Sequence, residues 1–193
     1  MKIFLTIVVV ILLSQVSAQN NLSTAEGRAS FYSKAPVSDV DAQNDNVKMD
    51  LDPKSGDLSI DMNMRDFKFK SEKMGKDAEK KYLETEKFTK ASFKGKIQGN
   101  IQYDKPGTYS AVAAGKLTLH GVTKDIKEKG TVTVVGKGKV KLHSQFMLAL
   151  KDFSIDQPEI LGKKMTAESM KVTIEGTLTS GVDSASKKKG SKN

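Results

Sequence analysis

Few residues of this sequence could carry chemistry, and the two histidines are the first to consider. His120 lies in the stretch LTLHGVTK, and His143 lies in the stretch KVKLHSQF. Alternation of apolar and polar residues places both side chains on the outward, polar face of a strand. Neither has a carboxylate nearby in sequence to orient its ring, as catalytic and metal-bound histidines usually require. We therefore predict surface or turn histidines, with Gly121 giving the chain the freedom to turn after His120.

The other motifs that could indicate a reaction are incomplete. Asp50, Asp52 and Asp57 lack the ligand spacing of a calcium loop. The glycines at 136 and 138 are followed by Lys141 where a dinucleotide fingerprint needs its third glycine. There is no cysteine and therefore no thiol nucleophile or disulfide, and no GxSxG elbow occurs. We predict no catalytic residue, no bound metal and no cofactor, so the protein is not expected to be an enzyme.

The chain begins with a segment typical of a secretory signal peptide. Met1-Lys2 is basic, residues 3–13 are almost wholly apolar, and Val16-Ser17-Ala18 is a small-residue cleavage site. Cleavage between Ala18 and Gln19 would give an exported protein, either periplasmic or extracellular. No later segment approaches the ~20 apolar residues that a membrane-spanning helix needs.

The net charge of +9 could indicate a nucleic-acid partner, but the distribution of charge argues against one. Four lysines lie in the final stretch SKKKGSKN, tryptophan is absent and aromatic residues are few. A basic surface interleaved with stacking rings is therefore not apparent. We expect a disordered lysine-rich tail over residues 181–193, which could contact anionic lipid head groups weakly.

The remaining chain reads mostly as short strands. Val47, Met49 and Leu51 alternate with polar residues, and a Pro-Lys-Ser-Gly turn leads to a second alternating run. Further strands are predicted around residues 28–34, 91–99, 109–119, 131–135, 140–150 and 170–178. Residues 71–84 form the one predicted helix, and helical spacing puts Met74, Ala78, Tyr82 and Leu83 on one face of it. We predict one domain over 28–180, an antiparallel barrel or sandwich, preceded by a flexible lead over 19–27.

The alternation slips by one residue at Arg65-Asp66. Met64 and Phe67 are then both expected to face the interior, and a β-bulge is the simplest device that allows this.

The inward rows contain many small residues. Ala111, Ala113 and Gly115 share a row with Leu117 and Leu119. Such a row either leaves room for a ligand or offsets large residues across a filled barrel. Residue sizes alone leave both interpretations open.

Three stretches together resemble one known family. GKLTLHGVTKDIKEKGTVTV, with FTKASFKGKIQG upstream and FMLALKDFSIDQP downstream, resembles the YceI-like family of secreted bacterial proteins. The resemblance covers about residues 28–178. It implies a lipocalin-like antiparallel barrel with an extended apolar cavity, which holds a polyisoprenoid or related amphiphile in some members. Asp125 stands where the family often has proline, and Ala149-Leu150-Lys151 replaces its usual arginine-serine, so ligand identity stays open.

We therefore expect a mainly β protein: a single lipocalin-like barrel of about eight strands with one inserted helix. It would sequester or carry a long-chain isoprenoid or other apolar-tailed lipid. The alternative is a ligand-free barrel that acts as a scaffold or surface-interaction protein, and a homodimer is left open. The expected cavity lining, inferred from parity and from the helix as a lid, is Phe31, Phe67, Phe69, Met74, Tyr82, Phe93, Ala111, Ala113, Gly115, Leu117, Leu119, Phe146 and Leu148.

Overall fold

The computed structural model of the protein describes residues 21–34, 39–156, 159–160, 163–164 and 168–180. The predicted signal peptide with its cleavage site and the predicted lysine-rich tail lie outside these residues. The chain forms eleven strands in the described part, together with one short α-helix and three other helical turns. The strands are β1 (Leu22–Ser33), β2 (Val40–Leu51), β3 (Asp57–Asn63), β4 (Lys68–Phe69), β5 (Lys90–Gln98), β6 (Gly107–Leu119), β7 (Val122–Gly136), β8 (Lys139–Ala149), β9 (Glu159–Ile160), β10 (Lys163–Lys164) and β11 (Ser169–Ser180).

Eight of these strands close into an antiparallel barrel. Their order around the wall is β1, β11, β8, β7, β6, β5, β3, β2, and β2 pairs back with β1. The short β4 adds to β2 beside the barrel, through pairing of Ala42 with Phe69. Because β2 pairs back with β1, the sheet does not end in an unpaired terminal strand. The predicted fold class is therefore confirmed.

One end of the barrel is filled by a dense apolar core. Val47, Met49, Leu51 and Leu178 are fully buried there, together with Val132, Val134 and Val140. These residues alternate with exposed ones along their strands, as a strand with one dry face requires.

Two strands differ in extent from the prediction. The loose lead predicted over residues 19–27 is wrong from Leu22 onward, because β1 begins there and pairs with both β2 and β11. β7 is also longer than the predicted 131–135, because its first half pairs with β6 from Val122 onward.

The parity slip has a different cause from the predicted bulge. A 3₁₀ turn spans Met64–Asp66, and Asn63 caps its start. The Arg65 N–H donates a hydrogen bond to the Oδ1 of Asn63 at 3.1 Å. The turn carries the chain to Phe67 with both apolar side chains inward. Met64 is 5% exposed and Phe67 is 7% exposed, so the prediction that both side chains face the interior is confirmed. The predicted β-bulge is wrong, because a 3₁₀ turn takes its place.

The predicted helix is present over a shorter span and changes form within it. Helix α1 (Glu72–Asp77) is capped by Ser71, whose Oγ accepts from the Met74 N–H, and a π-helical turn (Ala78–Tyr82) continues it. Two ion pairs stabilise it, between Glu72 and Lys76 (2.7 Å) and between Asp77 and Lys81 (2.8 Å).

Gly95 and Gly115 let β5 and β6 approach unusually closely. The two glycines are direct cross-strand partners. A Cβ on Gly115 would collide with the Cα of Gly95 and the carbonyl of Lys94. Glycine is therefore required here by backbone contact, and not by a need for open space.

Candidate functional site

A cavity of about 500 Å³ lies inside the barrel, next to the dense core. Its wall is formed by inward side chains of the barrel strands, and α1 with the following π-turn lies over it. The lid contributes Met74, Ala78, Tyr82 and Leu83, the same apolar face that the helical periodicity predicted. The volume lies within the ~300–1,000 Å³ typical of ligand pockets.

The cavity wall contains every residue that the sequence predicted for it except Gly115. Gly115 is absent because its Cα packs against β5 instead, as described above. An aromatic group lines one side: the rings of Phe31 and Phe67 lie 5.1 Å apart and those of Phe31 and Phe69 lie 5.7 Å apart. These tilted and edge-on arrangements are the ones that packed aromatic rings favour.

Sequence reasoning missed part of the wall. Ile126 on β7 and Met170, Val172 and Ile174 on β11 also face the cavity. The three β11 residues share the alternation that identified this strand, so the same parity argument would have found them. Ile126 lies in the half of β7 that was not predicted as a strand.

One barrel strand contributes a carboxylate to this apolar wall. Glu128 pairs in register with Ala113 of β6, so both lie on the inward row, and both line the cavity. Burial raises the pKa of the Glu128 carboxyl above its ordinary value, because the charged form is desolvated. Among the described residues no hydrogen bond or ion pair compensates it.

The prediction of a surface His120 without a carboxylate partner is wrong. The His120 side chain is 8% exposed, its Nδ1 lies 3.2 Å from the carbonyl oxygen of Phe153, and its Nε2 lies 3.0 Å from Oε2 of Glu84. Both ring nitrogens therefore lie within hydrogen-bonding distance of an oxygen atom. Its ring also packs 4.2 Å from the ring of Phe88. By contrast, His143 is exposed, as predicted.

His120 links three chain segments at the end of the barrel that carries the lid, because it contacts both Glu84 and Phe153. Glu84 follows the π-turn of the lid, His120 begins the turn between β6 and β7, and Phe153 ends the 3₁₀ turn Leu150–Phe153. Glu84, His120 and Ser154 have φ angles of 41°, 50° and 53°, and no other described non-glycine residue has a positive φ. Such backbone strain persists only where surrounding contacts hold it.

The predicted role of Gly121 in that turn is consistent with its geometry. Its φ is 74°, and a Cβ there would lie 2.5 Å from Cε1 of Phe88. Both the conformation and the aromatic packing therefore require glycine.

Two further properties concern the described part of the chain. It contains no cluster of three or more histidine, cysteine, aspartate or glutamate side chains suited to a metal ion. Among the same residues, no helix has the length and apolar character to cross a membrane.

Comparison with protein families gives one match. The model of the YceI-like domain matches residues 17–178. A comparison with curated proteins finds no match.

Solved structures with a similar fold have low sequence identity to this chain. A polyisoprenoid-binding domain from Saccharophagus degradans, implicated in plant cell wall breakdown, is 11% identical with a TM-score of 0.70. The match covers 84% of this chain and 99% of that one. BcnA of Burkholderia cenocepacia is 13% identical with a TM-score of 0.65, covering 81% and 98%. A Campylobacter jejuni YCEI protein is 17% identical with a TM-score of 0.56, covering 75% and 86%.

Proposed function

Because this chain belongs to the YceI-like family, we propose that it binds an isoprenoid or another apolar-tailed lipid inside its barrel and sequesters or carries it. The observation that carries the proposal is the cavity of about 500 Å³ with its almost wholly apolar wall. The polyisoprenoid-binding domain of Saccharophagus degradans has the same fold, which supports this class of ligand.

The physical basis of binding would be removal of the lipid tail from water. Each methylene group buried contributes about 0.8 kcal/mol. Ten such groups give roughly 8 kcal/mol, enough for micromolar affinity before the costs of ordering are subtracted. The cavity wall supplies leucine, isoleucine, valine, methionine and phenylalanine side chains along its length, so such burial needs no specific polar contact.

The filled-barrel alternative, a scaffold without a ligand, is disfavoured by the same cavity. The side chains of Ala111 and Ala113 face open space on one row, and larger residues from neighbouring strands do not fill it. A barrel that only had to be stable would gain from filling this volume, because each buried contact adds dispersion energy.

We propose binding and not catalysis as the activity. Both ring nitrogens of His120 are engaged by Glu84 and Phe153, and His120 does not line the cavity. The His120 ring therefore stabilises the end of the barrel, and neither of its nitrogens is directed at a bound lipid. We also propose export, on the basis of the signal-like sequence before Gln19.

Titration of delipidated protein with a long-chain polyprenol tests the proposal. Ala113→Phe places an aromatic ring in the cavity, and Ala114→Phe places the same ring on the outer face of the same strand. If the ring displaces about three methylenes, the affinity should fall about 50-fold in the first variant. The second should bind like the parent. No binding by the parent, or equal binding by both variants, would contradict the proposed function.

A further inference from the structure

The barrel wall is incomplete between β7 and β8. The two strands pair from Gly136 and Lys139 only as far as Gly130 and Ser144. Beyond that point, residues 122–129 of β7 remain paired with β6, and residues 145–149 of β8 remain paired with β11. At the end of the ladder, Ser144 Oγ donates to the carbonyl of Lys129 at 2.8 Å. The wall therefore splits next to the cavity.

Glu128 is the first inward residue of β7 beyond this split. It faces Ala113 across the β6–β7 pair and lines the cavity. An uncompensated carboxylate in an apolar wall costs free energy, and a hydrogen-bond donor on a ligand would offset that cost. Lys124 shares its row, but four residues along a strand span about 13 Å, too far for an ion pair.

The charges around the cavity have the opposite sign to the chain as a whole. Three carboxylates line it, those of Asp77, Glu128 and Asp156, against the single ammonium of Lys73. Asp77 is ion-paired with Lys81 on the lid, and Asp156 follows the 3₁₀ turn that ends at Phe153, so Glu128 is the one of the three that lies on a barrel strand. The protein carries a net charge of +9, yet the charged side chains that line its cavity sum to −2 (one positive minus three negative).

We propose that Glu128 determines which polar end group the bound lipid carries. The carboxylate accepts a hydrogen bond from an ammonium or hydroxyl group at the end of the chain and repels a carboxylate there. The lipid would thus be a long-chain amine or alcohol and not a fatty acid. This inference rests on the proposed function, since it assigns the head group of the same ligand.

Three probes of equal chain length test the inference: hexadecylamine, hexadecanol and palmitate. Each is titrated at about pH 8, where a glutamate is ionised, by displacement of a fluorescent apolar reporter from delipidated protein. The parent should bind the amine and the alcohol at least about tenfold more tightly than palmitate.

Two variants separate Glu128 from the general charge of the protein. Glu128→Gln keeps the size of the side chain and should raise palmitate affinity about tenfold while lowering that of hexadecylamine. Asp125→Asn removes the same charge from the outer face of β7 and should leave the order of the three probes unchanged.

The outcomes distinguish this inference from the proposed function. If no probe binds the parent, the lipid-binding proposal fails, and the head-group assignment fails with it. If all three bind the parent with similar affinity, or Glu128→Gln leaves their order unchanged, only the assignment to Glu128 is overturned. Tighter binding of palmitate than of the amine would point to Lys73 and would also overturn it.

Discussion

Replacing His120 by alanine should loosen the lid end of the barrel. The imidazole bridges Glu84 and the Phe153 carbonyl at 3.0 and 3.2 Å and packs on Phe88. The substitution leaves the Phe153 carbonyl without this donor, whereas Glu84 is 44% exposed and can hydrate. The loss should therefore arise mainly on the buried side of the bridge.

The magnitude follows from these contacts. An orphaned buried acceptor costs about 1–3 kcal/mol. The ring contact with Phe88 adds about 0.5–1.5 kcal/mol. We expect His120→Ala to lower the free energy of unfolding by about 2–4 kcal/mol, a fall in Tm of roughly 5–15 °C for a domain of this size. Glu84→Gln should cost about 1 kcal/mol or less, because its amide still hydrogen-bonds the ring.

Urea denaturation of the parent, His120→Ala, Glu84→Ala and the double variant measures the bridge directly. The double-mutant cycle should give a coupling energy of about 1 kcal/mol or more between the two side chains. Hydrogen exchange in Glu72–Asp77 should accelerate in His120→Ala, because the lid loses an anchor at its end. Additive effects, or a stability change in His120→Ala below about 0.5 kcal/mol, would refute this account of the barrel end.

Three further predictions concern the glycine pair, the cavity carboxylate and export. Gly115→Ala should lower the free energy of unfolding, measured by urea denaturation, by about 1–3 kcal/mol. Gly136→Ala should not, because a Cβ added at Gly136 would have no atom within 4 Å. Equal effects of the two substitutions would contradict the close approach of β5 and β6. The pKa of Glu128 is raised in the folded state, so its carboxyl favours folding in acid and that contribution disappears as pH rises through the folded pKa. Glu128→Gln should therefore gain stability relative to the parent as the pH rises above the unfolded pKa of about 4. A stability difference that is independent of pH would show that the carboxyl is fully hydrated. Mass spectrometry of exported protein should find Gln19 as the first residue, and material beginning at Met1 would exclude cleavage.

The sequence predicted the parts of the fold that follow strand periodicity. Alternation identified both faces of the β2–β3 hairpin, and the helical spacing of Met74, Ala78 and Tyr82 identified the apolar face of the lid. These patterns are local, because neighbouring positions along an element decide which side chains share a face.

The sequence could not predict features that depend on contacts distant along the chain. Glu84 is 36 residues from His120, so no local search for a carboxylate could find the pair. The parity rule also fails at His120, because its φ of 50° takes it out of the strand conformation. The first half of β7 was missed because Lys124 and Glu128 occupy its inward row where the wall splits, which erases the alternation.

Gly115 illustrates a limit of arguments from residue size. A small residue on an inward row is compatible with a cavity and also with close backbone contact, and the sequence cannot separate the two. Ala113, two residues away, lines the cavity, whereas Gly115 packs on Gly95.

Lipid extraction from natively purified protein, followed by mass spectrometry, tests the central claim most directly. If the barrel carries a lipid, the parent should yield a long-chain amphiphile at close to one molecule per protein, and Ala113→Phe, purified in parallel, should yield little of it. Ala114→Phe should retain the lipid, because its ring lies outside the cavity. A parent protein that carries no lipid would contradict the claim, as would one whose lipid content is unchanged in Ala113→Phe.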